Sequence, residues 1–158
     1  MANIVEILFE KVAFEELLKY LDETKKGFVL ESYEVSVDEY QLEEISSLRD
    51  LIGIIGRYNE GSIYLNVKQF TFDSLVLPKA GIQIFKYIDG LDLSIDIEYD
   101  FFQSIGPLSA IQVWANNVSA KLSAESYYCG YEPAIDEETR FFTMNRLGPL
   151  SFSKESLR

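Results

Sequence analysis

The run from Gly81 to Asp100, GIQIFKYIDGLDLSIDIEYD, constrains this chain more than any other part of it. Two segments of strict apolar/polar alternation flank Asp89-Gly90, the dipeptide that best suits a two-residue type I′ turn, so the sequence predicts a β-hairpin. With Asp89 and Gly90 as turn residues, Ile88 would face Leu91, Lys86 Leu93, Ile84 Ile95 and Ile82 Ile97, all on one core-directed face. Lys86 is the anomaly on that face. The other face then carries Gln83, Phe85 and Tyr87 beside Asp92, Ser94, Asp96 and Glu98, with Asp100 beyond them. It is acidic, with two aromatic rings embedded. Carboxylates two apart on a strand lie about 6 to 7 Å apart, so they coexist in water without a metal or a proton.

The rest of the chain supplies partners for that hairpin. Asn3 to Glu10 alternates Ile4, Glu6, Leu8 and Glu10 against Val5, Ile7 and Phe9, a strand pattern. Phe14, Leu17, Leu18 and Leu21 fall at helical spacing, with Lys25 and Lys26 at the expected C-terminus and Gly27 beyond it. Phe28 to Val37 reads as a second strand, and Asp38 with Gln41 as the cap of a helix through Leu42, Ile45 and Leu48. LIGIIGRY, from Leu51, carries two glycines and reads as a strand joined through Asn59-Glu60-Gly61 to a returning SIYLNVKQF. Pro78 is expected to bend the chain before the main hairpin. Pro107 suits the first turn of a helix whose buried stripe is Leu108, Ile111, Ala115, Val118 and Leu122, bordered by Trp114. Ser126 to Glu132 reads as a last strand stopped by Pro133, with the remainder irregular and 143–158 an irregular C-terminal segment.

This order predicts a single α+β domain over 1–158, a largely antiparallel sheet covered by helices on one face, most economically ferredoxin-like with extra strands. The length suffices for one self-contained core, and 47% apolar residues with 14% aromatic exclude the disordered regime.

Charge and absences narrow the function. A net charge of -12, from 26 acids against 14 bases, repels phosphate backbones and anionic lipid and attracts cationic proteins, so neither nucleic acid nor a membrane is an expected partner. MANIVEILFEKVAFEELLKYL lacks the basic and apolar segments of a signal peptide, no apolar run is long enough to cross a bilayer, and Cys129 is the one cysteine; the expected location is cytoplasmic. The Asn117-Val118-Ser119 sequon lies within a predicted helix and is discounted. The chain has no histidine, which removes the Ser-His-Asp triad, histidine base catalysis and histidine-containing zinc sites. Without a histidine base, Cys129 reads as a small buried apolar residue and not as a nucleophile. No Walker-type or dinucleotide-binding glycine motif occurs. No cofactor or metal is expected.

Two surfaces remain. The first is the hairpin face with Phe85, Tyr87, Asp92, Asp96, Glu98 and Asp100. It is what the solvated side of a half-buried strand requires, and it also suits docking of a cationic protein, the rings giving area and the carboxylates orientation. A divalent cation site lacks the calcium-hand spacing. The second is the cluster Tyr128, Tyr131, Glu132, Asp136, Glu137, Glu138 and Arg140. It reads as a solvated acidic loop with Arg140 paired to one of the acids, or as a small-ligand or carboxylate-based enzymatic site in which Glu132 and Asp136 form a pair. The leading reading is a non-enzymatic inhibitor or antidote, of the immunity type, that neutralises a cationic protein such as a nuclease. Self-association through an exposed sheet edge is a third reading.

Overall fold

The computed structural model describes residues 3–24, 29–37, 48–72 and 75–150. One eight-stranded sheet organises them, with every neighbouring pair antiparallel: β1 (Ile4–Glu10), β2 (Val29–Ser36), β3 (Gly61–Phe72), β4 (Leu75–Tyr87), β5 (Gly90–Glu98), β6 (Ser126–Tyr131), β7 (Arg140–Thr143) and β8 (Arg146–Leu147). They lie in the order β2-β3-β4-β5-β1-β6-β7-β8. Among the described residues four helices accompany them: α1 (Phe14–Thr24), α2 (Leu48–Gly56), α3 (Tyr99–Ile105) and α4 (Leu108–Leu122). The inner strands, β6-β1-β5-β4, have the order of a ferredoxin-like unit, extended by β3 and β2 on one side and β7 and β8 on the other.

Alternation along each strand decides which side is covered. Val5, Ile7 and Phe9 of β1, Ile63, Leu65 and Val67 of β3, Ile82 and Ile84 of β4, and Leu93, Ile95 and Ile97 of β5 are all buried. Against them pack Leu17 and Leu21 of α1, Ile52 and Ile55 of α2, Phe102 of α3, and Ile111, Trp114, Ala115, Val118 and Leu122 of α4. This is the α+β class with helices on one face. Trp114 belongs to the buried stripe itself and does not border it.

Several expectations change in detail. LIGIIGRY does not form a strand: Leu48–Gly56 is α2, because Ile52 and Ile55, three apart, both reach the core, and a Cβ on Gly56 would meet the Phe14 ring at 2.8 Å where α2 crosses α1. Asn59-Glu60-Gly61 therefore links a helix to β3. Pro78 does not bend the chain; β4 runs through it. Its missing N–H falls at a gap in the ladder: the pairing of β3 with β4 skips Gln69 and Pro78, between Lys68↔Lys79 and Phe70↔Leu77, and Gln69 takes a left-handed φ of 52°. The main hairpin turns at Ile88-Asp89, with Tyr87 opposite Gly90, so each pairing is two residues from the expected one: Lys86 faces Leu91, Ile84 faces Leu93 and Ile82 faces Ile95. A shift of two keeps the paired side chains on their predicted faces, but Ile88, expected on the core face, becomes a turn residue and is 81% exposed. None of the three residues Ile88, Asp89 and Gly90 has a positive φ, so the turn is not type I′.

Lys86 proves useful on the core side: its ammonium donates to the Gly56 carbonyl at 3.1 Å, at the negative end of α2. Beyond Pro133 the chain is more regular than expected. A 3-10 turn at Glu137–Thr139 leads into β7 and β8, so 143–147 are strand and turn and not irregular. A register shift sets Phe142 opposite Cys129 but Arg140 opposite Gly130, and the extra residue lets both Phe141 and Phe142 be fully buried. The expected cap at Lys25, Lys26 and Gly27, and the Asp38, Gln41, Leu42 and Ile45 helix start, lie outside the described residues.

Candidate functional site

The side of the sheet away from the helices carries the even residues of β1, β3, β5 and β6 and the odd ones of β4. Pairing aligns them into rows. One row runs Asn66, Gly81, Asp96, Glu6, Gly130 across five strands. Gly81 leaves a hollow at its centre, and the Tyr64 ring leans into it so closely that any Cβ at position 81 would strike the phenol. The result is a cavity of about 330 Å³ lined by Tyr64, Asn66, Gln83, Asp96, Glu98 and Glu132, with Ile4, Lys79, Ala80 and Gly81 completing it.

The chemistry centres on Asp96 and Glu6, register partners on adjacent strands. The Ser94 hydroxyl, fully buried, lies 3.0 Å from Glu6 Oε2 and 3.0 Å from Asp96 Oδ1. A hydroxyl has one hydrogen, so both contacts are hydrogen bonds at once only when one carboxyl carries a proton. Asp96 is a carboxyl whose proton affinity is raised. Burial, then the charge of Glu6 and, more weakly, Glu132 push its carboxyl up to about 7, against the opposing Ser94 hydrogen bond. Glu6 Oε1 accepts the Ala134 N–H at 2.9 Å, which ties the loop after β6 to this row. Burial and then the Asp96 and Glu132 charges also raise the Tyr64 phenol, which stays a neutral donor.

Of the first expected surface, Asp96 and Glu98 line the cavity. Phe85 is exposed nearer the turn. Asp92 is occupied by the fold: it accepts the Lys11 N–H at 2.9 Å, where Lys11 takes the left-handed φ of 52°, and the Tyr87 hydroxyl at 2.7 Å. Asp100 is not on the strand at all, because β5 ends at Glu98 and Asp100 sits in the first turn of α3, where a carboxylate suits the helix dipole.

The second expected cluster is divided by the sheet. Tyr131 is on the covered side, its ring 5.7 Å from Tyr99 and 5.5 Å from Phe141. Tyr128 is on the open side under the Arg140 guanidinium at 4.4 Å. Among the described residues Arg140 pairs with no acid: it donates to the Ala134 carbonyl at 2.9 Å, the Ile135 carbonyl at 2.7 Å and Thr143 Oγ1 at 3.0 Å, pinning the loop to β7. Asp136, Glu137 and Glu138 are exposed around the 3-10 turn, and Asp136 does not join Glu132 at the cavity. Only Glu132 of this cluster reaches the site. Cys129 is buried, its thiol raised by burial and by Glu6.

The cavity thus joins one end of each expected surface. Tyr64, Asn66, Gln83 and Glu6 were not singled out by sequence reasoning; alternation alone put each on a polar face, but only the strand order makes them neighbours. Among the described residues no group of three or more Cys, Asp or Glu is placed to hold a metal ion, and no helix is long and apolar enough to cross a membrane.

One face of the sheet is thus covered by helices, and the other is open and carries Glu6, Asp96 and Glu98. Residues 3–147 match the family model described as PABL017 Cdi1I immunity protein, and the chain belongs to that family. It is an immunity-type inhibitor. A chain in the crystal structure of the toxic C-terminal tip of CdiA from Pseudomonas aeruginosa in complex with immune protein is 30% identical, with a TM-score of 0.74 over 95% of this chain and 99% of that one. A Pseudomonas aeruginosa T6SS protein gives a TM-score of 0.43 at 16% identity, over 82% of this chain and 42% of that one. No curated protein matches.

Proposed function

We propose that this chain, acting as one domain in the cytoplasm of the cell it protects, neutralises a cationic CdiA-type toxic tip by docking it on the open acidic face. The observation that carries the reading is the convergence of Asp96, Glu98 and Glu132 around one cavity, with Glu6 beside Asp96, in a chain of net charge -12, Lys79 being the single cation among the described residues that line it. A field of this sign raises the encounter rate with a basic partner and rejects like-charged ones. The similar structure supports a toxin as that partner, since the immune protein there is held with the toxic tip of CdiA.

The test is the association rate with the cognate toxic tip, measured for the wild-type chain and for the double variant Glu98→Lys/Glu132→Lys. Both side chains are exposed, so the melting temperature should hold while association slows by about tenfold at low salt, the difference shrinking as salt screens it. Equal rates for the two proteins at low salt would remove the open face as the docking surface.

A further inference from the structure

The cavity differs from the face around it in one respect: Asp96, which lines it, faces a second carboxylate, Glu6, its register partner on the adjacent strand. Among the described residues neither Glu6 nor Asp96 forms an ion pair, and the donor they share is the single Ser94 hydroxyl. The groups facing Asp96 come from every neighbouring strand: Glu6 from β1, Glu98 from β5 itself, Lys79 from β4, Tyr64 from β3 and Glu132 just past β6. Tyr64 supplies an aromatic wall, and the Asn66 and Gln83 amides add neutral acceptors. A guanidinium matches this set better than an ammonium does. It is planar, carries five donors in a fixed fork that two carboxylates and an amide oxygen can share, and stacks on a ring, whereas an ammonium is a compact point charge that leaves ring and amides unused.

We propose that the cavity receives one arginine side chain of the toxin, and that its entry replaces the proton held in the Asp96–Ser94–Glu6 chain, which leaves to solvent. The inference rests on the toxin-binding reading above. Charge balances: a neutral Asp96 carboxyl and a guanidinium cation become a carboxylate-guanidinium pair and one free proton. Ser94 then donates to one carboxylate alone, and the guanidinium supplies the bond that the proton had made.

Calorimetric titration of the full chain with the cognate toxic tip, at pH 6 and pH 8 in two buffers of different ionisation enthalpy, tests this directly. With Asp96 titrating near 7, close to one proton should be released per complex at pH 6 and almost none at pH 8, with binding about tenfold weaker at pH 6. Asp96→Asn, verified as folded by its melting curve, should release no Asp96 proton and bind at least about 30-fold more weakly at pH 8. Alanine replacement of toxin arginines should reveal one whose loss adds nothing to the Asp96→Asn defect. A complex that forms with no proton release and no effect of Asp96→Asn overturns the inference and leaves toxin binding standing. Coupling of Asp96 to a toxin lysine overturns the arginine assignment. No complex at all overturns the toxin-binding reading itself.

Discussion

Asp96 and Asp92 differ by four positions and have opposite circumstances. Asp92 is satisfied by the Lys11 N–H and the Tyr87 hydroxyl, so it fixes the chain where β1 ends. Asp96 is crowded by Glu6 and partly desolvated, and its carboxyl is raised to about 7 from the 3.8 of a free aspartate. A carboxylate raised in this way binds its proton more tightly in the folded state. Its contribution to stability is fully present below about pH 4 and is lost as the pH rises through about 7. Asp96→Asn should therefore raise the melting temperature by roughly 2 to 6 °C at pH 8, and by less at pH 5, in scanning calorimetry. A fall in melting temperature at pH 8 would mean that the charged form stabilises the fold. The same substitution is expected to weaken toxin binding, so the residue holds function at a cost in stability.

At the scale of elements, Lys86 ties the main hairpin to α2 through the Gly56 carbonyl, and Lys86→Met should lower the denaturant midpoint by the equivalent of about 1 kcal/mol with the fold intact. An unchanged midpoint would show that water serves the carbonyl equally well. The elements with a sustained period are legible in the sequence alone: β1, the β4 and β5 hairpin, α1 and α4 each repeat apolar residues at 2 or 3.6 over two turns or more. Those that are not legible have no such length. LIGIIG is apolar almost throughout, so it fits a buried strand as well as a helix, and tertiary packing of Ile52 and Ile55 decides it. Residues Tyr99–Ile105 follow β5 without a break or a capping side chain, which hides α3. The hairpin register differs by two because Asp89-Gly90 carries a strong turn signal that the fold does not use, yet the faces of the paired residues survive because the slip is even. The site is half legible. Asp96, Glu98 and Glu132 stand out as polar residues on strands or their ends; that they meet Tyr64 and Glu6 depends on the placement of β1 between β5 and β6, and strand order is not a local property of sequence.

For the whole molecule, the covered face is one continuous core and the open face is one continuous surface, so neither can be made in part. Removal of everything from Ser126 onward would strip Tyr127, Cys129, Phe141 and Phe142 from the core and leave one side of β1 unpaired. Such a fragment should show no cooperative thermal transition and no affinity for a toxic tip; a sharp transition by circular dichroism would show that β1 to α4 suffice. The row that crosses the open face begins at Glu6 and reaches Gly130, so residues made first in synthesis wait for some of the last to complete it. A chain that ends at α4 has β1 and β5 but lacks β6, so the open face of this immunity-family protein is whole only once one of its later strands has paired with its first.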